Sequence, residues 1–148
     1  SILWGLSLFE IYNEQKSFGI AIHESSSKNF EFNYIKTVRI SNCNKLYRPW
    51  HFDFFEYENK LFALIQTNQC NADICLAVSE DYENFKMFNK PLITQYSIKK
   101  AGIYKPTGIV LKDIFYLFYT AQDIEDRNLN KLYCSMIPMK ELINSIEG

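Results

Sequence analysis

The sequence predicts an all-β fold built from copies of one antiparallel unit, and three observations carry that expectation. Short apolar runs recur along the chain, the elements that follow each run recur in the same order, and tight turns stand at matching places between them. The run Lys60-Leu61-Phe62-Ala63-Leu64-Ile65-Gln66-Thr67 aligns with Asp113-Ile114-Phe115-Tyr116-Leu117-Phe118-Tyr119-Thr120, 53 residues later. It also aligns with Ile2-Leu3-Trp4-Gly5-Leu6-Ser7-Leu8-Phe9, 58 residues earlier. Runs this rich in aromatic and branched residues suit strands buried on both faces.

The next element repeats as Phe18-Gly19-Ile20-Ala21-Ile22-His23-Glu24, Ile74-Cys75-Leu76-Ala77-Val78-Ser79-Glu80 and Lys131-Leu132-Tyr133-Cys134-Ser135-Met136. A turn and a polar strand follow, Lys28-Asn29-Phe30-Glu31-Phe32 matching Glu83-Asn84-Phe85-Lys86-Met87. The Asn suits the turn, with Asp81 bonding local amides, and the Phe is expected to plug the core beneath. An opening strand precedes two copies: Pro49-Trp50-His51-Phe52-Asp53-Phe54-Phe55-Glu56 and Tyr104-Lys105-Pro106-Thr107-Gly108-Ile109-Val110-Leu111. Each leads into a tight turn, Glu58-Asn59-Lys60 or Lys112-Asp113.

A period of about 55 residues with four strands per unit is the pattern of a β-propeller blade. The competing architecture is a β-sandwich of similar strands, but three element types recurring in one order favour a partial propeller of about two and a half blades. Residues 1–42 supply the last three strands of one blade, 47–95 a complete blade, and 103–137 the first three strands of another. Residues 138–145 read as a short helix, with Pro138 suited to its first turn. Ten strands cannot close a propeller, so the chain is expected to be part of a longer protein or to assemble. Two copies would supply twenty strands, enough for five blades.

Composition agrees. The chain has 148 residues, enough for a sizeable core. Aromatic residues reach 16%, and such side chains favour half-buried strands. The formal net charge is −1 with no block of like charges, which argues against a nucleic-acid partner. No apolar run approaches the roughly 20 residues of a membrane-spanning helix. The apolar start lacks the basic region and cleavage site of a signal peptide. Without an initiator Met, residues are expected to precede Ser1, and a bacterial cytoplasmic location is expected. Cys43, Cys70, Cys75 and Cys134 form no C-x-x-C pair, and no nearby histidines complete a metal site. They read as small buried thiols, with a Cys70–Cys75 bridge as the alternative.

The stretches Tyr47-Arg48-Pro49-Trp50-His51-Phe52-Asp53, Ala77-Val78-Ser79-Glu80-Asp81-Tyr82-Glu83-Asn84-Phe85 and Ile103-Tyr104-Lys105-Pro106-Thr107-Gly108, with the aromatic run Phe115–Thr120, resemble a known clan. It is the five-bladed β-propeller of glycoside hydrolase families 32, 43, 62 and 68, and the chain is most similar to family-43-like bacterial glycosidases. The resemblance covers about residues 1–142. It implies carbohydrate as ligand, no cofactor, and an axial site whose carboxylates come from the first strands of successive blades. Glycoside hydrolysis needs two carboxyl groups, one to protonate the leaving oxygen and one to activate water or attack. Of the two first strands here, one offers Asp53 and the other no carboxylate. This implies a glycosidase fragment or, alternatively, a non-catalytic carbohydrate-binding or scaffold propeller. A protein-interaction propeller is a third class.

Asp53 is the candidate catalytic residue; the alternative is a structural partner for Arg48 or a backbone amide. His51 shares its strand face, since side chains two apart point the same way. It could meet sugar hydroxyls or an axial water or metal, or be satisfied within the packing. Trp50 and Tyr104 are candidate stacking platforms or core aromatics. Arg48 and Lys105 are candidate anion-holding cations or plain surface charges. His23 reads as structural, and the cluster Asp123, Glu125, Asp126, Arg127 reads as a solvated polar loop.

Overall fold

The computed structural model of the chain describes residues 2–11, 17–26, 31–42, 49–67 and 72–147. The fold is mostly β. The strands are β1 (Ile2–Ile11), β2 (Ser17–Ser26), β3 (Asn33–Ser41), β4 (Pro49–Tyr57), β5 (Lys60–Thr67), β6 (Asp73–Ser79), β7 (Phe85–Met87) and β8 (Ile93–Thr94). Then come β9 (Gly102–Leu111), β10 (Ile114–Gln122), β11 (Asn130–Pro138) and the helix α1 (Met139–Glu147). Pro138 thus ends the last strand and stands just ahead of the helix rather than inside its first turn.

Consecutive strands pair antiparallel. β1, β2 and β3 form one ladder, β4 to β7 a second, and β9 to β11 a third, with β10 in the middle. Two hairpins turn where the sequence placed them. Glu58 and Asn59 have φ of 48° and 59°, and Lys112 and Asp113 have φ of 50° and 61°. Two successive left-handed residues make the mirror-image turn whose twist matches paired strands.

One feature departs from separate blades. Ile40 and Ser41 of β3 pair parallel with Phe85 and Lys86 of β7, so the first two ladders run on as one eight-stranded sheet. The strands β9–β11 stand as a separate three-stranded sheet. The join is two residues long. Ser41 strengthens it by donating its hydroxyl to the Phe85 carbonyl at 3.1 Å, and Asn42 donates its side-chain amide to the Met87 carbonyl at 2.9 Å.

The core has two compartments with β5 and β6 between them. Phe62, Leu64, Ile74 and Leu76 pack with Phe115, Leu117 and Tyr119 of β10 and with Met139, Leu142 and Ile146 of α1. The alternate residues Ala63, Ile65, Cys75 and Ala77 pack with Ile22 and Ile40 from the first ladder and with Phe85 and Met87. Each residue so buried is worth about 1.5–3 kcal/mol for a Leu, Ile or Phe. Phe55 ties three strands together, its ring stacked on Phe62 at 5.1 Å and on Phe115 at 4.7 Å. Phe85 is buried, as its place after the turn predicted. The matching Asn29 and Phe30 lie outside the described residues.

At Gly108, β9 packs closely on β5. A methyl group there would stand 2.7 Å from Leu64 Cδ1 and 2.7 Å from Phe115 Cε2, and both side chains are fully buried. Neither can swing away cheaply in a close-packed interior. Gly108→Ala is therefore expected to cost about 1–3 kcal/mol of stability through overpacking, read as a lower urea midpoint at unchanged slope. An unshifted midpoint would mean that β9 does not approach β5 this closely.

Candidate functional site

Alternation along β4 sends 51, 53 and 55 to one side and 52 and 54 to the other. Phe52 and Phe54 belong to the compartment shared with β3 and β7, while Phe55 faces β10. His51 and Asp53 thus look toward β9. The Asp53 carboxylate bridges the two strands: Oδ2 accepts a hydrogen bond from the Thr107 hydroxyl and another from the Gly108 amide at 3.2 Å. Next along, Lys105 is close enough for its charge to act on His51. From 51 to 53 on β4 the partners advance from 105 to 107 and 108 on β9. The two strands therefore run side by side in the same direction, joined through side chains.

Both strands are irregular at this end. The β4–β5 register shifts between Pro49 and His51, so Trp50 is the extra residue of a bulge. The β9–β10 register shifts between Thr107 and Tyr104, opposite Phe118 and Thr120, so Lys105 and Pro106 form a second bulge. Lys105 has a φ of 52°, left-handed and immediately before a proline. Sterics disfavour both circumstances for a residue with a Cβ. The surroundings hold it there, since the Lys105 amide donates to Gln66 Oε1 at 3.0 Å. Bulges of this kind redirect side chains and are common beside functional sites.

The exposed Trp50 is 51% accessible and meets the His51 ring edge-on at 6.0 Å. It is not a core aromatic. Lys105 is exposed. Tyr104 is half-buried with its ring folded back over Gly102, where a methyl group would stand 2.7 Å from the Tyr104 hydroxyl. Arg48 lies outside the described residues, as do Cys43 and Cys70. The structure therefore brings together Trp50, His51, Asp53 and Lys105, and turns Tyr104 onto its own strand. Cys75 is buried, but Cys134 is exposed, which corrects the expectation of a buried thiol there. His23 meets Tyr34 edge-on at 5.8 Å on the first ladder.

Two residues escaped the sequence reading. Thr107 is the Asp53 partner. Gln66 is fully buried, and the Lys105 amide fixes its side-chain orientation, so its own amide group points away. Among the described residues, Gln66 Nε2 has no hydrogen-bond acceptor. A buried donor left unpaired costs about 1–3 kcal/mol. The available signal was a glutamine inside an otherwise apolar strand run, since buried polar groups require partners.

Elsewhere, Asp81 behaves as a turn residue. Its carboxylate accepts from the Glu83 and Asn84 amides, the Asn84 side chain and the Ser79 hydroxyl. Those bonds hold its carboxyl far below the usual carboxylate range, the Asn84 amide contributing most. A cleft of about 730 Å³ opens beside it between Asn42, Lys60, Glu80 and Asn89, and another of about 320 Å³ lies between Pro91, Met136 and α1. Neither includes the β4–β9 residues. In the polar loop, Asp123 pairs with Lys100 at 3.3 Å. Among the described residues, no three His, Cys, Asp or Glu side chains gather as a metal site, and no helix is long and apolar enough to cross a membrane. Comparison with family models and with curated proteins finds no match for this chain.

Burial, and secondarily the Lys105 charge, lower the His51 pKa below 6.5. The neutral ring is thus favoured in the folded state, so this residue's contribution to stability is present above pH 6.5 and declines as pH falls through the lower folded value. In an NMR titration the His51 midpoint is expected below 6.5. Lys105→Met should raise it only part of the way, because burial, the larger cause, remains. A midpoint indifferent to Lys105→Met would separate the two side chains.

Proposed function

We propose that the chain is part of a carbohydrate-active propeller, about two and a half blades of a five-bladed ring, with the β4–β9 seam facing the sugar. The observation that carries the reading is the seam itself. Two opening strands from successive units run side by side in one direction, with no backbone ladder described between them, and Asp53 bridges them. That is what neighbouring blades do at a common axis. Trp50 presents an exposed aromatic face, which suits stacking against a sugar ring. His51 and Lys105 add donors beside it, and Asp53 Oδ1 is the oxygen left to meet a hydroxyl or a water. Tyr104, folded onto Gly102, is a weaker candidate, and Arg48 keeps its proposed place on the resemblance alone.

The proposed activity is glycoside hydrolysis with Asp53 as one carboxylate of the pair. A non-catalytic carbohydrate-binding role is the second reading. Two observations favour it: β9 brings no carboxyl group to the seam, and Asp53 Oδ2 already accepts two bonds.

The test has two arms. Titrating the protein with neutral and acidic oligosaccharides should shift the NMR signals of Trp50 and His51. Asp53→Asn should lower aryl-glycoside turnover by about 10²–10⁴-fold. Its melting temperature should change little, because the Asn oxygen still accepts from Gly108. Turnover retained in that variant with intact sugar binding would leave the binding reading. No response of the seam to any saccharide would remove both.

A further inference from the structure

One residue of the seam sits against the preference of its own backbone. Lys105 has a φ of 52°. Among the described residues, the others with a side chain and a left-handed backbone stand in turns or bends, whereas Lys105 stands inside a strand. Pro106 follows it, which makes such a backbone harder still to reach. Glycine adopts this conformation freely. A lysine here carries its side chain at a cost in backbone strain, and strain imposed by the surroundings is a pointer to function. The surroundings are the buried Pro106 and Gln66. Gln66 is wholly buried; its Oε1 accepts from the Lys105 amide at 3.0 Å, and its Nε2 has no acceptor among the described residues. Two local costs thus meet at one point, and their joint effect is to fix Lys105.

Gln66 is also the register partner of His51, and residues directly opposite project from the same face of a ladder. The Lys105 backbone is therefore clipped to the side chain beside His51. Its exposed ammonium acts on the imidazole, and the exposed Trp50 ring meets that imidazole edge-on. Among the described residues, no carboxylate pairs with the ammonium. Asp53 stands two residues beyond His51, about 7 Å along the strand, with its Oδ2 held by Thr107 and Gly108. The seam thus has a cationic end and a carboxylate end. We propose that Lys105 determines specificity at the seam by selecting saccharides that bear an acidic group, and that Gln66 is its positioning residue. This rests on the saccharide reading of the seam and names the class of sugar. The sugar ring lies on Trp50, its carboxylate or sulfate meets Lys105, and its hydroxyls reach toward Asp53 Oδ1. A neutral sugar leaves the ammonium without a counter-charge. An ammonium is a point charge and takes either anion, so the test includes both.

Methyl glycosides of glucose, galactose and mannose are titrated beside their uronates, and galactose beside galactose 6-sulfate, following the NMR signals of Trp50 and His51. The acidic member of a pair should bind about tenfold tighter at low ionic strength, and salt should shrink that advantage. It should also raise the His51 midpoint, because an anion favours the charged ring. The charged groups facing that ring are Lys105 from β9 and Asp53 from its own strand; β5 and β10 bring none to this end. Lys105→Gly should bring the ratio of acidic to neutral affinity to about one. Its urea midpoint should hold or rise, because glycine relieves the left-handed strain. Gln66→Met removes the acceptor at similar volume and should lower the same ratio. A preference for uronates alone identifies the group as a carboxylate, and one for the sulfate alone identifies a sulfate ester; each upholds the proposal. Equal affinities within every pair, or a ratio untouched by Lys105→Gly, overturn it and leave the saccharide reading standing. Silence of the seam toward every saccharide overturns that reading with it.

Discussion

The structure depends on one constraint: β5 and β6 are apolar on both faces. In a strand successive side chains point to opposite sides. Leu64 and Ala63, or Leu76 and Ala77, therefore need separate coverings. No single layer satisfies both. The chain must fold a sheet onto each side, and it does so with its N-terminal ladder on one and with β9–β11 and α1 on the other. The small residues are unevenly divided. The side toward β3 carries Ala63, Cys75 and Ala77, and the side toward β10 carries Phe62, Leu64, Ile74 and Leu76. The second side accordingly takes in the large rings of Phe55, Phe115 and Tyr119.

The β4–β9 seam follows from that packing. Covering β5 with β10 brings β9 beside β4, and Gly108 allows the approach because it has no side chain to meet Leu64. What happens at the seam is then electrostatic. The Gly108 amide, lacking a ladder partner on that side, finds one in the Asp53 carboxylate, and Thr107 adds its hydroxyl. Gln66 performs the same service for the Lys105 amide. Two side chains thus supply the acceptors that a strand would otherwise provide, and they let Lys105 hold a left-handed backbone. Such conformations cost about 1–3 kcal/mol and persist only where the surroundings impose them.

Most of the strand plan was legible in the sequence, because it rests on local signals. Apolar runs located β5 and β10, and Glu58-Asn59 and Lys112-Asp113 located the hairpins. Pro138 located the helix, although it stands just ahead of the first turn and not inside it. The β3–β7 join was not legible. A two-residue parallel ladder leaves no periodicity, and its side-chain supports, Ser41 and Asn42, look like any polar strand end. The exposure of Cys134 was hidden for another reason. Alternation says that Tyr133 and Cys134 face opposite ways, but only the neighbouring layers decide which way is in. At the seam, pairing His51 with Asp53 needed only the two-residue period. Placing Tyr104 over Gly102 needed the bulge at Lys105, which nothing in the residues announces.

The bridging role of Asp53 constrains its chemistry. A carboxylate used purely as a structural clip would be replaceable by any acceptor of the same shape, and Asn is one. A carboxylate that also meets a ligand must keep one oxygen available while the other is held. The bonding at the seam divides the group in this way, with both protein donors on Oδ2. Fixing one oxygen through two donors on the neighbouring strand also fixes the direction of the other, which is what positioning a reacting or recognised hydroxyl requires. The same two bonds that make Asp53 structural therefore also hold its carboxylate in one orientation, so a structural role at this residue is compatible with the proposed one.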